Sequence, residues 1–231
     1  SQRAFWTCVR TIIRLATYRN AAPTLAPGSP AILIQMHYDW EALCSGVWRC
    51  RLPFCDVSVG LVQGRNGILL IDCGTTLLEA TNIAADVRAL TGGVVTQVVM
   101  THHHFDHILG SAGFGDAELY GAAAVAEALT TEVGAVRAHA IGYGADPAEL
   151  DRTIAALCAP GHRVLTADLE LGTRAVRVEH PGRGHTDHDL VVVVAPGGPT
   201  QRTVVFCGDL IEESADPAID AIYVASPNSV H

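Results

Sequence analysis

At 231 residues, 49% hydrophobic and 17% charged, the chain has the composition of a folded protein with one sizeable core, not of a disordered one. Its formal charge of −9, from 15 basic against 24 acidic side chains, argues against nucleic acid as a partner, because phosphate binding draws on clustered positive charge. No apolar run approaches the roughly 20 residues that span a bilayer, so no membrane partner is expected. Seven cysteines without CxxC spacing fit free thiols in a reducing, cytoplasmic setting better than a disulfide scaffold or a zinc knuckle.

The first 38 residues stand apart. They hold Arg3, Arg10, Arg14 and Arg19, no acid, and a Pro/Ala-rich exit at 21–30. They read as an N-terminal extension, helical or poorly ordered, ahead of a domain over 39–231. An acid-poor, Arg-rich start also fits a transit segment, whereas Arg14 interrupts the apolar stretch that a secretory signal needs.

From Val47 the pattern is orderly. Residues 56–63 and 67–73 are apolar, β-branched runs joined by Arg65-Asn66-Gly67, a hairpin signal. The spacing of Leu78, Ile83, Val87 and Leu90 predicts a helix over 75–90, capped by Thr75 or Thr76 and ended by Gly92-Gly93. Residues 94–100 read as a buried strand, 122–129 and 147–158 as helices rich in small residues. Strands are predicted again over 174–180, 189–195 and 203–209. Substrate specificity is expected in Val57–Arg65 and Ala138–Asp151, read as loops without legible chemistry. Strands, then helices, then strands again imply layers of an α/β sandwich. Asp72, His102 to His107, His185 and Asp209 all fall where strands end, rigid points from which to aim ligands.

Four of the 11 histidines, with Asp106, occupy residues 102–107. Zinc and similar ions need several imidazole or carboxylate donors at about 2.0–2.2 Å from one point. In H-x-H, His102 and His104 can point to one side while His103 points away; Asp106 and His107 can then serve a second point. Two ions about 3.5–4 Å apart would hold a hydroxide between them. His103, His180 and His188 lie close by but read as loop residues, and His37, His139 and His162 carry no recognisable spacing.

THHHFDH (101–107) resembles the HxHxDH signature of the metallo-β-lactamase fold superfamily. ILLIDCG (68–74) resembles its IDxG element, GRGHTDHD (182–189) its GHT element, and VVFCGDL (204–210) its strand ending in a bridging Asp. The resemblance covers roughly residues 45–213. It implies an αββα sandwich of two mixed β-sheets flanked by helices. It further implies that His102, His104 and His185 hold a first metal, that Asp106 and His107 contribute to a second, and that Asp209 bridges both. Asp72 would orient the loop and a ligand imidazole. The implied cofactor is zinc, one or two ions, with iron or manganese as alternatives.

The implied activity is hydrolysis, with a metal-bound hydroxide attacking an ester, thioester or lactone of a small molecule and Asp106 and Asp209 orienting it and taking its proton. Asp209 sets the chain apart from the lactam-cleaving members, which lack an Asp at that position. The glyoxalase-II-type thioesterases carry a further helical domain, and the nucleases a further domain or basic features, which this sequence does not show. The alternatives are a mononuclear iron oxygenase or sulfur dioxygenase of the same fold, or a catalytically impaired, truncated remnant. The last is raised by one departure. The family supplies a final His after the bridging Asp, but only 22 residues follow Asp209, with His231 the sole His among them. The C-terminal part is therefore expected to be short for the fold. Oligomeric state has no signal in the sequence.

Overall fold

The computed structural model describes residues 36–198 and 201–210. Most of the N-terminal extension and the tail with His231 lie outside the described residues. The larger sheet runs in sequence order: β1 (Glu41–Cys44), β2 (Val47–Arg51), β3 (Ser58–Gln63), β4 (Ile68–Ile71), β5 (Gln97–Val99), β6 (Glu118–Gly121) and β7 (His162–Arg163). Its first four strands pair antiparallel and the last four, from β4 to β7, parallel, so this sheet is mixed. The smaller sheet has β8 (Thr166–Glu170), β9 (Ala175–Glu179), β10 (Val191–Val194) and β11 (Val204–Phe206), antiparallel in order β11-β10-β9-β8.

The unbroken apolar run of β4 has a physical reason. Successive side chains point to opposite faces of a strand, so a strand covered on both sides cannot alternate with polar residues. Ile68 and Leu70 pack with the helices, against Ile83, Val87 and Phe105; Leu69 and Ile71 pack into the smaller sheet, against Val178, Val192 and Phe206. Gly60 makes room for that Phe206 ring, since a Cβ there would stand 2.5 Å from it. The smaller sheet alternates instead. Val176 and Val178 of β9 face inward, and Arg177 between them is exposed, pairing with Asp168 and Glu179 at 3.0 Å each.

The helices are α1 (Leu77–Thr91), α2 (Phe105–Ile108), α3 (Ala123–Ala128), α4 (Val133–Gly142) and α5 (Pro147–Ala155). Thr76 caps α1 in a capping box with Glu79, and Gly92, at φ 74°, ends it. The expected helix 75–90 thus starts two residues later and ends one later. The helices pack on the larger sheet; a helical layer outside the smaller sheet is not among the described elements. None of the described helices is long and apolar enough to cross a membrane.

The two segments expected to be specificity loops are corrected here. Val57–Arg65 is mostly β3, buried between both layers, and Ala138–Asp151 joins the end of α4 to the first turns of α5. β1, β6, β7, β8 and α4 had no clear period in the sequence, being short or rich in Ala and Gly.

The segment just before β1 is held by one carboxylate. Asp86 on α1 is buried and accepts from the backbone N–H of His37 (2.8 Å) and Tyr38 (3.0 Å) and from Trp40 Nε1 (3.0 Å). Asp86→Ala leaves three donors without their acceptor, and a loss of about 1–3 kcal/mol is expected. Urea unfolding, with proteolysis mapped to residues 37–40, measures it.

Candidate metal centre

Every residue of interest stands at one edge of the sandwich, beyond the C-terminal ends of β4, β5 and β11 and in the β9–β10 connection. Open sheets with parallel strands place ligands at this edge. β4 runs out into Asp72, whose backbone is left-handed at φ 58°. That turn points its buried carboxylate back under β5, where Oδ1 accepts from Thr101 N (2.8 Å) and Oδ2 from Thr101 Oγ1 (2.9 Å). Asp72 Oδ2 also lies 2.9 Å from His107 Nδ1. Thr101 Oγ1 in turn lies 3.0 Å from His102 Nδ1. One carboxylate thereby orients two imidazoles.

The strap carrying these histidines is held by backbone contact. Cys73 N donates to His107 O (3.1 Å) and Gly110 N to Gly74 O (2.8 Å). Only glycine fits at 110, where a Cβ would lie 1.8 Å from Cys73 O. Gly208, at φ 53°, brings Asp209 in beside Thr101; a Cβ there would be 2.6 Å from Thr101 Oγ1.

His102, His104, His185 and Asp209 each offer a ligand atom, and these atoms all lie within 4.8 Å of one another. Asp209 Oδ2 is 3.7 Å from His102 Nε2 and 3.8 Å from His185 Nε2, and Oδ1 is 3.3 Å from His107 Nε2. His107 Nε2 also stands 3.7 Å from Asp106 Oδ2. His185 Nε2 and His104 Nδ1 are 3.0 Å apart. Nε2 of His102 and of His107 and both Asp209 oxygens are buried without an aligned hydrogen bond. Buried polar atoms are normally satisfied, so orphans this dense call for a group that binds them all.

The charges point the same way. Burial, then the neighbouring His107, His104 and His185, push the His102 pKa well below the usual imidazole value. Burial and His185 lower that of His104 to about 3. Both rings are neutral, the form that ligates metal. Burial also pulls His107 down, but Asp72, Asp209 and Asp106 outweigh it and hold its pKa well above the ordinary value. Burial opposes ionisation of Asp209, yet His107, His185 and His104 keep its pKa low. Three carboxylates thus converge on one imidazolium, an excess of negative charge that suits a divalent cation. The residues fit such an ion.

The sequence profile of the Metallo-beta-lactamase superfamily matches residues 52–229. The chain belongs to the metallo-beta-lactamase superfamily. Solved structures of similar fold include a metallo-β-lactamase from Hirschia baltica, at 16% identity and TM-score 0.53, over 81% of this chain and 78% of that one. A Cronobacter sakazakii metallo-β-lactamase with a HARLDQ motif matches at 18% identity and TM-score 0.53, over 89% and 71%. A mutant of that motif matches at 17% and 0.51, over 77% of this chain; the chain spans 65% of that protein's length. Identities this low establish the fold. No curated protein is a significant match to the sequence.

In this superfamily member the structure brings His102, His104, His185 and Asp209 together, sets Asp106 and His107 beside Asp209, and places Asp72 beneath His107. His231 lies outside the described residues. Two contributors were missed. Thr101 passes the influence of Asp72 to His102. Asp189, buried, accepts from Thr186 N (2.8 Å) and Thr186 Oγ1 (2.7 Å) and so fixes the loop bearing His185. The Asp that ends GRGHTDHD, just before an apolar run, was the available signal. Because Asp72, Asp209 and Asp106 hold the His107 pKa above the ordinary value, filling its side of the centre is expected to release a proton near neutral pH. Adding zinc to chelator-treated protein in weak buffer, with a pH indicator, counts it.

Proposed function

We propose that this superfamily member is a zinc-dependent hydrolase of a small-molecule ester, thioester or lactone. The observation that carries the proposal is the convergence of His102, His104, His185 and Asp209 on one point, with His102 Nε2 and both Asp209 oxygens buried and without a hydrogen-bond partner. Zinc bound there supplies Lewis-acid polarisation of a carbonyl and a lowered pKa for water. His102, His104 and His185 hold the ion on one side. Asp209 turns one oxygen to that group and the other to His107, the disposition of a bridging carboxylate. Asp106, on the His107 side, is assigned to accept the proton of the attacking water. Asp72 keeps His107 aimed at Asp209 while substrate turns over.

The test combines metal content with turnover. Protein purified without added metal or chelator is analysed by plasma mass spectrometry, and initial rates are measured on panels of thioesters, lactones and esters. One or two zinc ions per chain and hydrolysis of at least one panel, lost on chelation, are expected. One iron per chain with no hydrolysis would replace this reading by oxidative sulfur or oxygen chemistry. No bound metal would remove the enzyme assignment.

A further inference from the structure

A second pair of imidazoles meets beside the centre. His103, between His102 and His104 in sequence, packs its ring against His188, with centroids 4.6 Å apart and planes inclined by 61°. His188 is 9% exposed, and its Nδ1 lies 2.8 Å from Asp187 Oδ1. That carboxylate fixes the tautomer: Nδ1 carries the proton, and Nε2 presents its lone pair. Carboxylates orient metal-ligating histidines in the same way. His188 Nε2 and His103 Nδ1 are both buried and have no hydrogen-bond partner. Among the described residues, the other imidazole nitrogens in that condition are Nε2 of His102 and of His107, within the candidate metal centre.

The surroundings favour a cation. Glu132, Asp187 and Asp189 act electrostatically on His103. Two imidazoles in ring contact, each with a buried, unpartnered nitrogen and with carboxylates nearby, are relieved by an ion between them.

We infer that His103 and His188 form a second site for a late first-row divalent cation, zinc, nickel or copper, separate from the centre on His102, His104, His185 and Asp209. Imidazole donors select these ions, and copper is held most tightly. With two protein donors, the site binds more weakly than the four-residue centre. It does not depend on the hydrolase reading.

The test uses the full chain, stripped with chelator and titrated with Zn²⁺ and with Cu²⁺ by equilibrium dialysis. One weak equivalent beyond the tightly bound metal is expected in the wild type, and His188→Ala is expected to lose that equivalent alone. In His102→Ala/His185→Ala the weak equivalent persists while the tight binding disappears, which separates this site from the centre. Asp187→Asn alters an exposed side chain, so it leaves folding intact and is expected to weaken the second site about 10- to 100-fold. A His188→Ala stoichiometry equal to wild type would overturn the inference. If His188→Ala does not fold, an unchanged weak constant in Asp187→Asn does the same.

Discussion

Replacing His102 by alanine is expected to strip the tightly held metal and to lower kcat/KM on the hydrolysed substrate by at least about 1,000-fold, or about 4 kcal/mol. The ring is fully buried, its Nε2 stands 3.7 Å from Asp209 Oδ2, and its Nδ1 is fixed by Thr101 Oγ1. No other imidazole can reach that position. His104 and His185 already point at the same centre, His104 Nδ1 3.0 Å from His185 Nε2, and His107 is turned between Asp72 and Asp209. Alanine therefore leaves two imidazoles and one carboxylate around the first ion. On the proposed hydrolase reading, loss of the ion removes carbonyl polarisation and water activation together, which is why the expected effect exceeds that of a single hydrogen bond. Metal content and kcat/KM on matched samples test it, with circular dichroism as the check on folding. Full metal and an unchanged rate would contradict the ligand role.

Asp72→Ala is expected to cost the metal-free protein about 3–5 kcal/mol, the size found when one partner of a buried ion pair is deleted. Asp72 and His107 are both buried, and alanine leaves the imidazolium, Thr101 N and Thr101 Oγ1 without their acceptor. The pH dependence has a defined sign. The His107 pKa is raised in the folded state, so its contribution is fully present below the ordinary value of 6.5 and is lost as pH rises through the folded-state value. The gap between wild type and Asp72→Ala is therefore expected to be widest at and below neutral pH and to narrow in alkali. Asp72→Asn keeps an oxygen for Thr101 but not a charge for His107. It is expected to fold and to bind metal about 10- to 100-fold more weakly. Urea titrations of chelator-treated protein across pH, and zinc affinity of Asp72→Asn, separate the two effects. Equal stability of Asp72→Ala and wild type at every pH would show that the carboxylate does not hold the imidazole.

The fold was legible wherever side-chain patterning and end signals agreed. Residues 67–73 read as an apolar, β-branched strand, and the structure covers Ile68–Ile71 on both faces; the cap expected at Thr75 or Thr76 is Thr76, with Glu79 closing the capping box. β7 is two residues long and owes its existence to parallel pairing with β6; nothing local requires it. α4, rich in Ala and Gly, buries only Ala140 fully, so its sequence has no apolar stripe to read. The stretch Ala138–Asp151 lost its reading as a loop for that reason.

The sequence by itself supplied the candidate donors. HxHxDH, His185 and Asp209 are the residue types a divalent ion needs, and each follows a strand that fixes where it begins. Spacing alone could not determine which donors share one point, and only the family resemblance assigned them, because His102, His185 and Asp209 are separated by dozens of residues and belong to two different sheets. Only the packing of those sheets through Val99, Val178, Val192 and Phe206 brings their ends to one edge. Only the left-handed turn at Asp72 and the close approach at Gly110 and Gly208 set the distances within that edge. Local residue chemistry chooses a ligand; the spacing between ligands is a property of long-range contacts, which no short stretch of chain encodes.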